Sequence, residues 1–206
     1  MNIEIKKSIK PVNYLDALKF LEQRVAKINQ NKSDELIWIL EHPSVFTAGT
    51  GYNKNDILDK SIHIIKSPRG GRVTWHGPGQ LICYLVINLN NRKKDIRKFL
   101  NIIENSIIIS LKSFGIKSFS DRKNIGIWTR LNDKDEKIGA IGIKVKRWIA
   151  YHGFSVNINN DISNYSKIIP CGIKDKGVTT LKKIKDQSYN KLPDEIIKNL
   201  TTNLKT

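Results

Sequence analysis

Cysteine is almost missing from this chain, which has 206 residues and contains only Cys83 and Cys171. Two widely separated cysteines do not make the disulfide framework typical of small secreted proteins. The N-terminal segment has no apolar signal core, and no apolar run approaches the roughly 20 residues that a membrane-spanning helix needs. These absences lead us to expect a soluble cytoplasmic protein with no membrane partner.

Acidic residues are also scarce, because 19 Asp and Glu stand against 36 Lys and Arg, a formal net charge of +17. Such a charge is compatible with nucleic-acid binding, with steering of acidic protein partners, or with a composition that is rich in lysine everywhere. The lysines are spread along the chain, without a dense basic block interleaved with aromatic residues. The charge alone therefore does not decide between these interpretations.

Several ligand-binding motifs are absent as well. No Cys and His pair has zinc spacing, and neither a GxGxxG fingerprint nor a Walker-type glycine-lysine loop occurs. We therefore expect no metal and no cofactor.

Hydrophobic periodicity predicts a mixture of helices and strands without strict alternation. We expect helices over residues 14–30, 95–114 and 193–204, a helical turn over 165–169, a loop over 44–60, strands over 35–41, 61–67, 81–89, 116–120 and 125–129, and a hairpin of strands 137–145 and 148–158. This order predicts a single domain over residues 1–206 with an α/β (α+β) fold. Its mixed sheet is flanked by helices and is not doubly wound.

Residues 69–80 are the most informative run, with the sequence Arg-Gly-Gly-Arg-Val-Thr-Trp-His-Gly-Pro-Gly-Gln. Four glycines within twelve positions indicate that the backbone turns sharply or approaches a bound group closely. Arg69 and Arg72 offer forks of donors for an anionic or carbonyl group. His76 has several possible roles: it forms a pocket wall, donates to a substrate carbonyl, or bonds to the local backbone.

Cys171 is the candidate nucleophile, since Pro170 and Gly172 place its thiol at a sharp bend. The alternative is a small apolar filler, which is what free cysteines usually are. Cys83, within the predicted strand 81–89, should be buried and inert. A reactive thiol needs a nearby cation because an unassisted thiol is mostly protonated at neutral pH. The residues alone do not choose that cation, and Lys137 by itself suggests a solvated strand-end lysine.

Four separated segments, taken together, resemble the lipoyl(octanoyl) transferases. They are residues 69–80, Lys-Ile-Gly-Ala-Ile-Gly at 137–142, His-Gly-Phe-Ser-Val-Asn at 152–157 and Ile-Pro-Cys-Gly at 169–172, and the resemblance covers about residues 35–180. This chain departs from the family pattern at Trp75, where a smaller aromatic is usual, and at Arg72, where Gln, Asp or Lys is commoner. These departures concern the shape of the pocket rather than its chemistry.

The resemblance implies the fold of the biotin/lipoate protein ligase catalytic domain. It implies transfer of an octanoyl group from octanoyl-acyl carrier protein to a lysine on lipoyl domains, those of 2-oxoacid dehydrogenases and of the glycine cleavage H protein. In this first step of protein lipoylation, Cys171 would carry the acyl group as a thioester. Lys137 would favour the thiolate and act as general acid and base. The implied substrate-binding residues are Arg69, Gly70, Gly71, Arg72, Val73, Thr74, Trp75, His76, Ala140, Ile141, Gly142, Gly153, Phe154 and Ser155.

Two other functions remain open at this point. An ATP-dependent lipoate or biotin protein ligase shares the implied fold and needs no cysteine, but its usual Arg-Arg-x-Ser-Gly-Gly-Gly motif is absent here. A basic protein that binds nucleic acid would account for the charge. It would leave residues 69–80 and the Pro-Cys-Gly bend unexplained, so we expect no nucleic-acid partner.

Overall fold

Two β-sheets and their flanking helices organise the chain in a computed structural model that describes residues 2–172 and 176–205. The larger sheet has the order β1 (Ile3–Lys7), β2 (Glu35–Leu40), β6 (Gln80–Asn88), β10 (Ile149–Asn157), β9 (Lys134–Lys146), β8 (Ile127–Leu131) and β7 (Phe119–Ser120), with β11 (Gly177–Val178) also paired to β9. The smaller sheet has the order β4 (Ile64–Lys66), β3 (Val45–Ala48) and β5 (Val73–His76). The helices are α1 (Tyr14–Asn29), α2 (Ile96–Lys112), the short α3 (Leu181–Ile184) and α4 (Leu192–Asn203).

Both faces of the larger sheet are covered by helices, which explains why its central strands are apolar throughout. In β2, Leu36, Trp38 and Leu40 pack toward α1. The alternate residues Ile37 and Ile39 pack toward α2 and α4. This arrangement confirms the predicted α/β (α+β) class.

The long helix α2 begins and ends where the sequence predicts. The side chain of Asp95 accepts a hydrogen bond from the Lys98 N–H and caps the first turn. Gly115 adopts a φ of +74° and donates its N–H to the Lys112 carbonyl, which stops the helix. No helix in the described part of the chain combines the length and apolar character needed to cross a membrane.

Two tight hairpins build the side of the sheet that carries the site. Asn132 and Asp133 join β8 to β9, and Arg147 and Trp148 join β9 to β10. All four residues have positive φ angles between 48° and 61°, which suits two-residue turns between twisted antiparallel strands. The predicted hairpin of two long strands is therefore confirmed.

The short strands were predicted poorly. The expected loop 44–60 contains strand β3, and β5 lies within the glycine-rich run. The strands expected over 61–67 and 116–120 shrink to β4 and β7, with three and two residues. Segments this short carry little periodicity, and their pairing with distant strands decides whether they extend.

Candidate active site

Cys171 lies on a left-handed turn that bends the chain sharply. Its backbone has a φ of 57° and a ψ of 13°, which is uncommon for a residue with a side chain. The cysteine is free and half-buried. Backbone strain of this kind persists only where the surrounding structure enforces it.

An ion pair beneath the turn supplies that enforcement. The Arg72 guanidinium binds the buried Asp56 carboxylate with two hydrogen bonds of 2.8 and 2.7 Å. Its other edge lies against Gly172, where an added Cβ would be 2.0 Å from an Arg72 nitrogen. The Asp56 carbonyl also accepts the Ile169 N–H at 2.7 Å. Asp56 and Arg72 therefore hold both ends of the cysteine turn, and sequence reasoning missed Asp56.

Lys137 is buried, so its interpretation as a solvated strand-end lysine is wrong. Its Nζ donates to the Ile125 carbonyl at 3.2 Å and lies 4.6 Å from the centroid of the Trp128 ring. A carbonyl oxygen and an aromatic face both attract an ammonium group. No carboxylate pairs with Lys137 among the described residues.

A β-bulge turns Lys137 toward the cysteine. Between β8 and β9, Ile127 faces Gly139 but the next residue, Trp128, faces Lys137, so the register shifts by one. Because a one-residue shift exchanges the two faces of a strand, Lys137 shares a face with Ala140. Regular alternation would instead have placed it with Ile141, which packs against the α2 core.

Lys137 and Cys171 line the same small cavity, although they come from distant parts of the chain. The cavity is also lined by Thr74, Ala140, Ser155, Asn157, Tyr165, Pro170 and Val178. It lies beside a larger pocket that shares Cys171, Thr74, Ala140 and Ser155. A thiol, an ammonium and an adjoining pocket are thus brought together at one place.

Most of the predicted binding residues line this larger pocket. They are Arg69, Gly71, Arg72, Thr74, His76, Ala140, Ile141, Gly142, Gly153, Phe154 and Ser155. Val73 and Trp75 do not, because alternation along β5 turns them into the core of the smaller sheet. Gly70 lines a neighbouring groove instead.

Trp75, the unusual aromatic, affects the pocket only indirectly. Its indole N–H donates to Ser44 at 2.9 Å, and its ring lies edge-on to Tyr165, 5.9 Å between centroids. A Cβ at Gly77 would be 2.2 Å from the indole, so the wide ring needs a glycine beside it.

The two arginine forks are occupied by protein groups. Arg72 binds Asp56, and Arg69 donates to the carbonyls of Gly70 and Thr47 at 3.0 and 2.9 Å and to the Thr47 hydroxyl. Of the nitrogens in these two guanidinium groups, the Arg69 Nε is buried and has no hydrogen-bond partner among the described residues. The arginines therefore shape the site and supply charge, where the sequence suggested that their forks bind an anion or carbonyl.

Sequence reasoning also missed a set of aromatic residues in the pocket: Tyr14, Tyr84 and His152, with His42 behind them. His42 Nδ1 is 2.6 Å from the Val12 carbonyl and must donate to it, so its Nε2 accepts from the Tyr84 hydroxyl at 2.7 Å. The Tyr14 hydroxyl donates to Ser67 at 2.7 Å. The hydroxyls of Tyr14 and Tyr84 are therefore paired within the protein, and these two rings present carbon to the pocket. The buried His152 Nε2, in contrast, has no hydrogen-bond partner among the described residues.

His152 enters the pocket through an unusual backbone conformation. Strand alternation would send its side chain to the same face as Ala150 and Phe154, which lie in the α2 core. A φ of 67° instead turns the ring to the other face, where it stacks on Tyr151 and meets Tyr84 edge-on. A His-Gly pair in mid-strand was the available signal, because glycine inside a strand often marks a kink.

His76 and His152 are held in the neutral form. The pKa of His76 is lowered to about 3, chiefly by burial and then by the nearby His42 and Arg69. The pKa of His152 is also lowered to about 3, chiefly by burial and then by Arg69 and Lys144. The Nδ1 of His76 is 2.7 Å from the Gln80 amide oxygen, so a neutral ring donates there and keeps Nε2 as an acceptor.

These two histidines should make the protein sensitive to acid. In the folded protein each histidine has a pKa below the ~6.5 of an exposed histidine. As the pH falls below 6.5, the unfolded chain therefore binds protons before the folded protein does. The stabilisation that is fully present above pH 6.5 is lost progressively toward pH 3. We expect each histidine to lower the free energy of unfolding by roughly 1 kcal/mol per pH unit within this window. Urea unfolding at pH 7 and pH 5 measures the slope.

The matched variants for this experiment are His152→Asn and His63→Asn. Asparagine tolerates the left-handed backbone at position 152, whereas His63 lies at the exposed surface. The first variant should show a shallower dependence on pH, and the second should keep that of the parent protein. Equal slopes in all three proteins would contradict the assignment.

Cys83 behaves as the sequence predicts. It lies fully buried within β6, and burial raises the pKa of its thiol well above the ordinary value. A thiol that stays protonated and out of contact with solvent is inert.

Known proteins with this fold include lipoate ligases. The chain superposes on a structure from Thermoplasma acidophilum, described as a bi-partite lipoate protein ligase and its E2 lipoyl domain, with a TM-score of 0.77. The match covers 100% of this chain and 84% of the other, at 13% sequence identity. At this identity the likeness establishes the fold alone, and it confirms the expected architecture.

Sequence comparison supplies the closer relationship. The profile of the lipoyl protein ligase A/B catalytic domain matches residues 13–204. An octanoyltransferase of Novosphingobium aromaticivorans is 43% identical over 180 residues, covering 87% of this chain and 81% of the relative. An octanoyltransferase of a Wolbachia from Brugia malayi is 44% identical over 174 residues, covering 84% of this chain and 85% of the relative.

The chain therefore belongs to the lipoyl protein ligase A/B catalytic domain family. Within it, the chain is an enzyme of the acyltransferase class, which confirms the resemblance read from the four motifs.

Proposed function

We propose that this enzyme transfers an octanoyl group from octanoyl-acyl carrier protein to the ε-amino group of a lysine on lipoyl domains, through a thioester on Cys171. The acceptors are the lipoyl domains of 2-oxoacid dehydrogenases and the glycine cleavage H protein. The proposal treats residues 1–206 as one catalytic domain, and it includes a cytoplasmic location, where a free thiol remains reduced.

One observation carries this proposal: Cys171 and Lys137 line a common cavity beside a larger pocket with apolar and aromatic walls. A buried ammonium without a carboxylate partner among the described residues is costly, and a thiolate close by compensates for that cost. The left-handed turn at Cys171 adds strain that packing alone does not require.

The first half-reaction forms the acyl-enzyme. The Cys171 thiolate attacks the thioester carbonyl, the bond from that carbon to the carrier sulfur breaks, and the Lys137 ammonium gives its proton to the departing carrier thiolate. Backbone N–H groups near Cys171 and in residues 139–142 stabilise the oxyanion. The products are octanoyl-Cys171, a neutral Lys137 and the free carrier thiol.

The second half-reaction restores the enzyme. The acceptor amine attacks octanoyl-Cys171 and loses a proton to the neutral Lys137, and the bond to the cysteine sulfur breaks as the amide forms. The thiolate and ammonium return together, so protons balance over the cycle. No ATP is needed, because an amide is more stable than the thioester from which it forms.

The pocket beyond Cys171 holds the acyl chain. Its wall includes Ile82 and Phe154, together with the rings of Tyr14 and Tyr84. Burying about six methylenes at ~0.8 kcal/mol each contributes roughly 5 kcal/mol of binding. One methylene more or less changes binding by only ~1–3 kcal/mol, so neighbouring chain lengths should react more slowly but measurably.

The test is a transfer assay with octanoyl-acyl carrier protein and an unmodified lipoyl domain, followed by intact mass spectrometry. We expect the domain to gain one octanoyl group without ATP. A parallel reaction with free octanoate and ATP should give no product. Transfer only in the presence of ATP and free acid would instead identify a ligase.

A further inference from the structure

A groove adjoins both Cys171 and the acyl pocket. The pocket and the groove share Gly71, Arg72, Ile141, Gly142 and Cys171, so they meet beside the cysteine turn. The floor of the groove is apolar and is formed by Ile96, Leu100, Ile125, Ile141, Ile143 and Val145. Ile96 and Ile125 are 42% and 48% exposed, which is high for apolar residues in a groove beside a reactive group.

One wall of the groove is an edge of β9 that pairs with no strand beyond Gly139 and that the Gly70 backbone contacts at Gly142 and Ile143. On this side of β9, pairing with β8 ends at Gly139, although β9 continues to Lys146. The Gly70 N–H bonds to the Ile143 carbonyl, so the amide groups of Ile143 point to the open side, and those of Ile141 and Val145 do so by alternation. Within residues 2–172 and 176–205, we find no acceptor for the Ile143 N–H. An open edge of this kind pairs readily with an extended amide-bearing chain.

The groove is also positively charged. Arg72, Lys123, Lys137 and Lys144 line it, and no Asp or Glu is among the described residues that do. Arg72 pairs with Asp56, and Lys137 lies by the thiol, but Lys123 and Lys144 have no carboxylate partner in the described part of the chain. These two lysines are available to a bound anion.

We propose that this groove binds the phosphopantetheine arm of the donor carrier protein. The inference rests on the proposed function, which supplies a thioester whose acyl chain and leaving group must extend from Cys171 in two directions. When the acyl chain occupies the pocket, the groove remains available for the phosphopantetheine arm. The arm carries two amides and ends in a phosphate, which matches an open strand edge followed by unpaired lysines.

The length of this β9 edge suits an extended phosphopantetheine arm. From Ile141 to Val145 the strand advances about 14 Å at ~3.4 Å per residue. An arm with its sulfur at Cys171 extends along this edge, with its amides beside Ile143 and its phosphate near Lys123 and Lys144. An acceptor lysine, in contrast, needs only to reach the thiol with its side chain and leaves most of the groove empty.

Three small donors test the proposal: S-octanoyl-4′-phosphopantetheine, S-octanoyl-pantetheine and S-octanoyl-mercaptoethanol, which has no amides. Acylation of Cys171 is followed by intact mass spectrometry under single-turnover conditions. We expect the phosphopantetheine donor to react at least ten-fold faster than the mercaptoethanol donor. Equal rates for the three donors would overturn the proposal.

Variants locate the effect. Ile143→Pro removes the outward N–H, and it also fixes the local backbone and shortens the side chain. It should reduce the ratio of the pantetheine rate to the mercaptoethanol rate several-fold. The double variant Lys123→Gln/Lys144→Gln should reduce the ratio of the phosphopantetheine rate to the pantetheine rate. If the proline variant does not fold, this double variant tests the proposal by itself. Lys146→Gln is the control, because this exposed residue of β9 does not line the groove.

The outcomes separate the groove from the function. Ratios that stay at the parent value in both groove variants would refute the arm site while the transferase function stands. A slowed transfer from octanoyl-Cys171 to the lipoyl domain, with donor ratios intact, would reassign the groove to the acceptor. Failure of every donor to acylate the parent protein would refute the proposed function itself.

Discussion

Replacing Cys171 by alanine is expected to abolish octanoyl transfer, with a loss of at least about 10³-fold, because no other group at the site can carry the acyl chain as a thioester. The cavity around the residue contains hydroxyl and amide groups but no second thiol, since Cys83 is buried in β6. Intact mass spectrometry after mixing with octanoyl-acyl carrier protein should show one added octanoyl group in the parent and none in Cys171→Ala.

The chain offers a matched control, because it has only two cysteines. Cys83→Ala removes the other thiol from the core and should retain both the mass increase and the transfer. Its main effect should be a modest loss of stability from the cavity that it leaves. Full activity in Cys171→Ala, or loss of the acyl adduct only in Cys83→Ala, would refute the covalent mechanism.

Replacing Lys137 by methionine is expected to slow the formation of octanoyl-Cys171 by about 10²- to 10³-fold. The substitution keeps an unbranched chain of similar length but removes the ammonium that favours the thiolate and protonates the departing carrier. Its rate should rise more steeply with pH than that of the parent, because the thiolate is the nucleophile and the variant has no ammonium to favour it. Single-turnover acylation between pH 7 and pH 10 measures both effects.

Lys146→Met is the control for Lys137→Met, since it makes the same change on the same strand at an exposed position. It should keep the parent rate and the parent dependence on pH. If Lys137→Met lost the same factor of rate at every pH, so that the shape of the pH profile was unchanged, the lysine would have a structural role only.

Local chemistry made much of the fold predictable. Asp95 and Gly115 mark the ends of α2 because a side-chain cap and a left-handed glycine act within one turn of the helix. The hairpin of β9 and β10 follows from two long apolar strands with a tight turn between them. The strand β3 was missed because four residues carry too little pattern to be recognised before their partners are known.

The candidate site was predictable to the extent that its residues lie in distinctive motifs. The run 69–80 and the Pro-Cys-Gly turn indicated where the site is, since few loops need so much glycine and proline. The motifs did not separate Thr74 and His76, which face the pocket, from Val73 and Trp75, which face the core. That distinction depends on how β5 pairs in the smaller sheet.

The sequence by itself determined the fold class and the family, because these depend on periodicity and short motifs. It nominated Cys171 and Lys137 only through the resemblance of those motifs to the family. Only the tertiary structure decided which side chains meet. The bulge in β9 turns Lys137 toward Cys171, the left-handed backbone brings His152 into the pocket, and Asp56 anchors Arg72 beneath the cysteine turn. Each of these contacts joins distant segments, and their geometry is set by sheet register and packing, which no local pattern encodes.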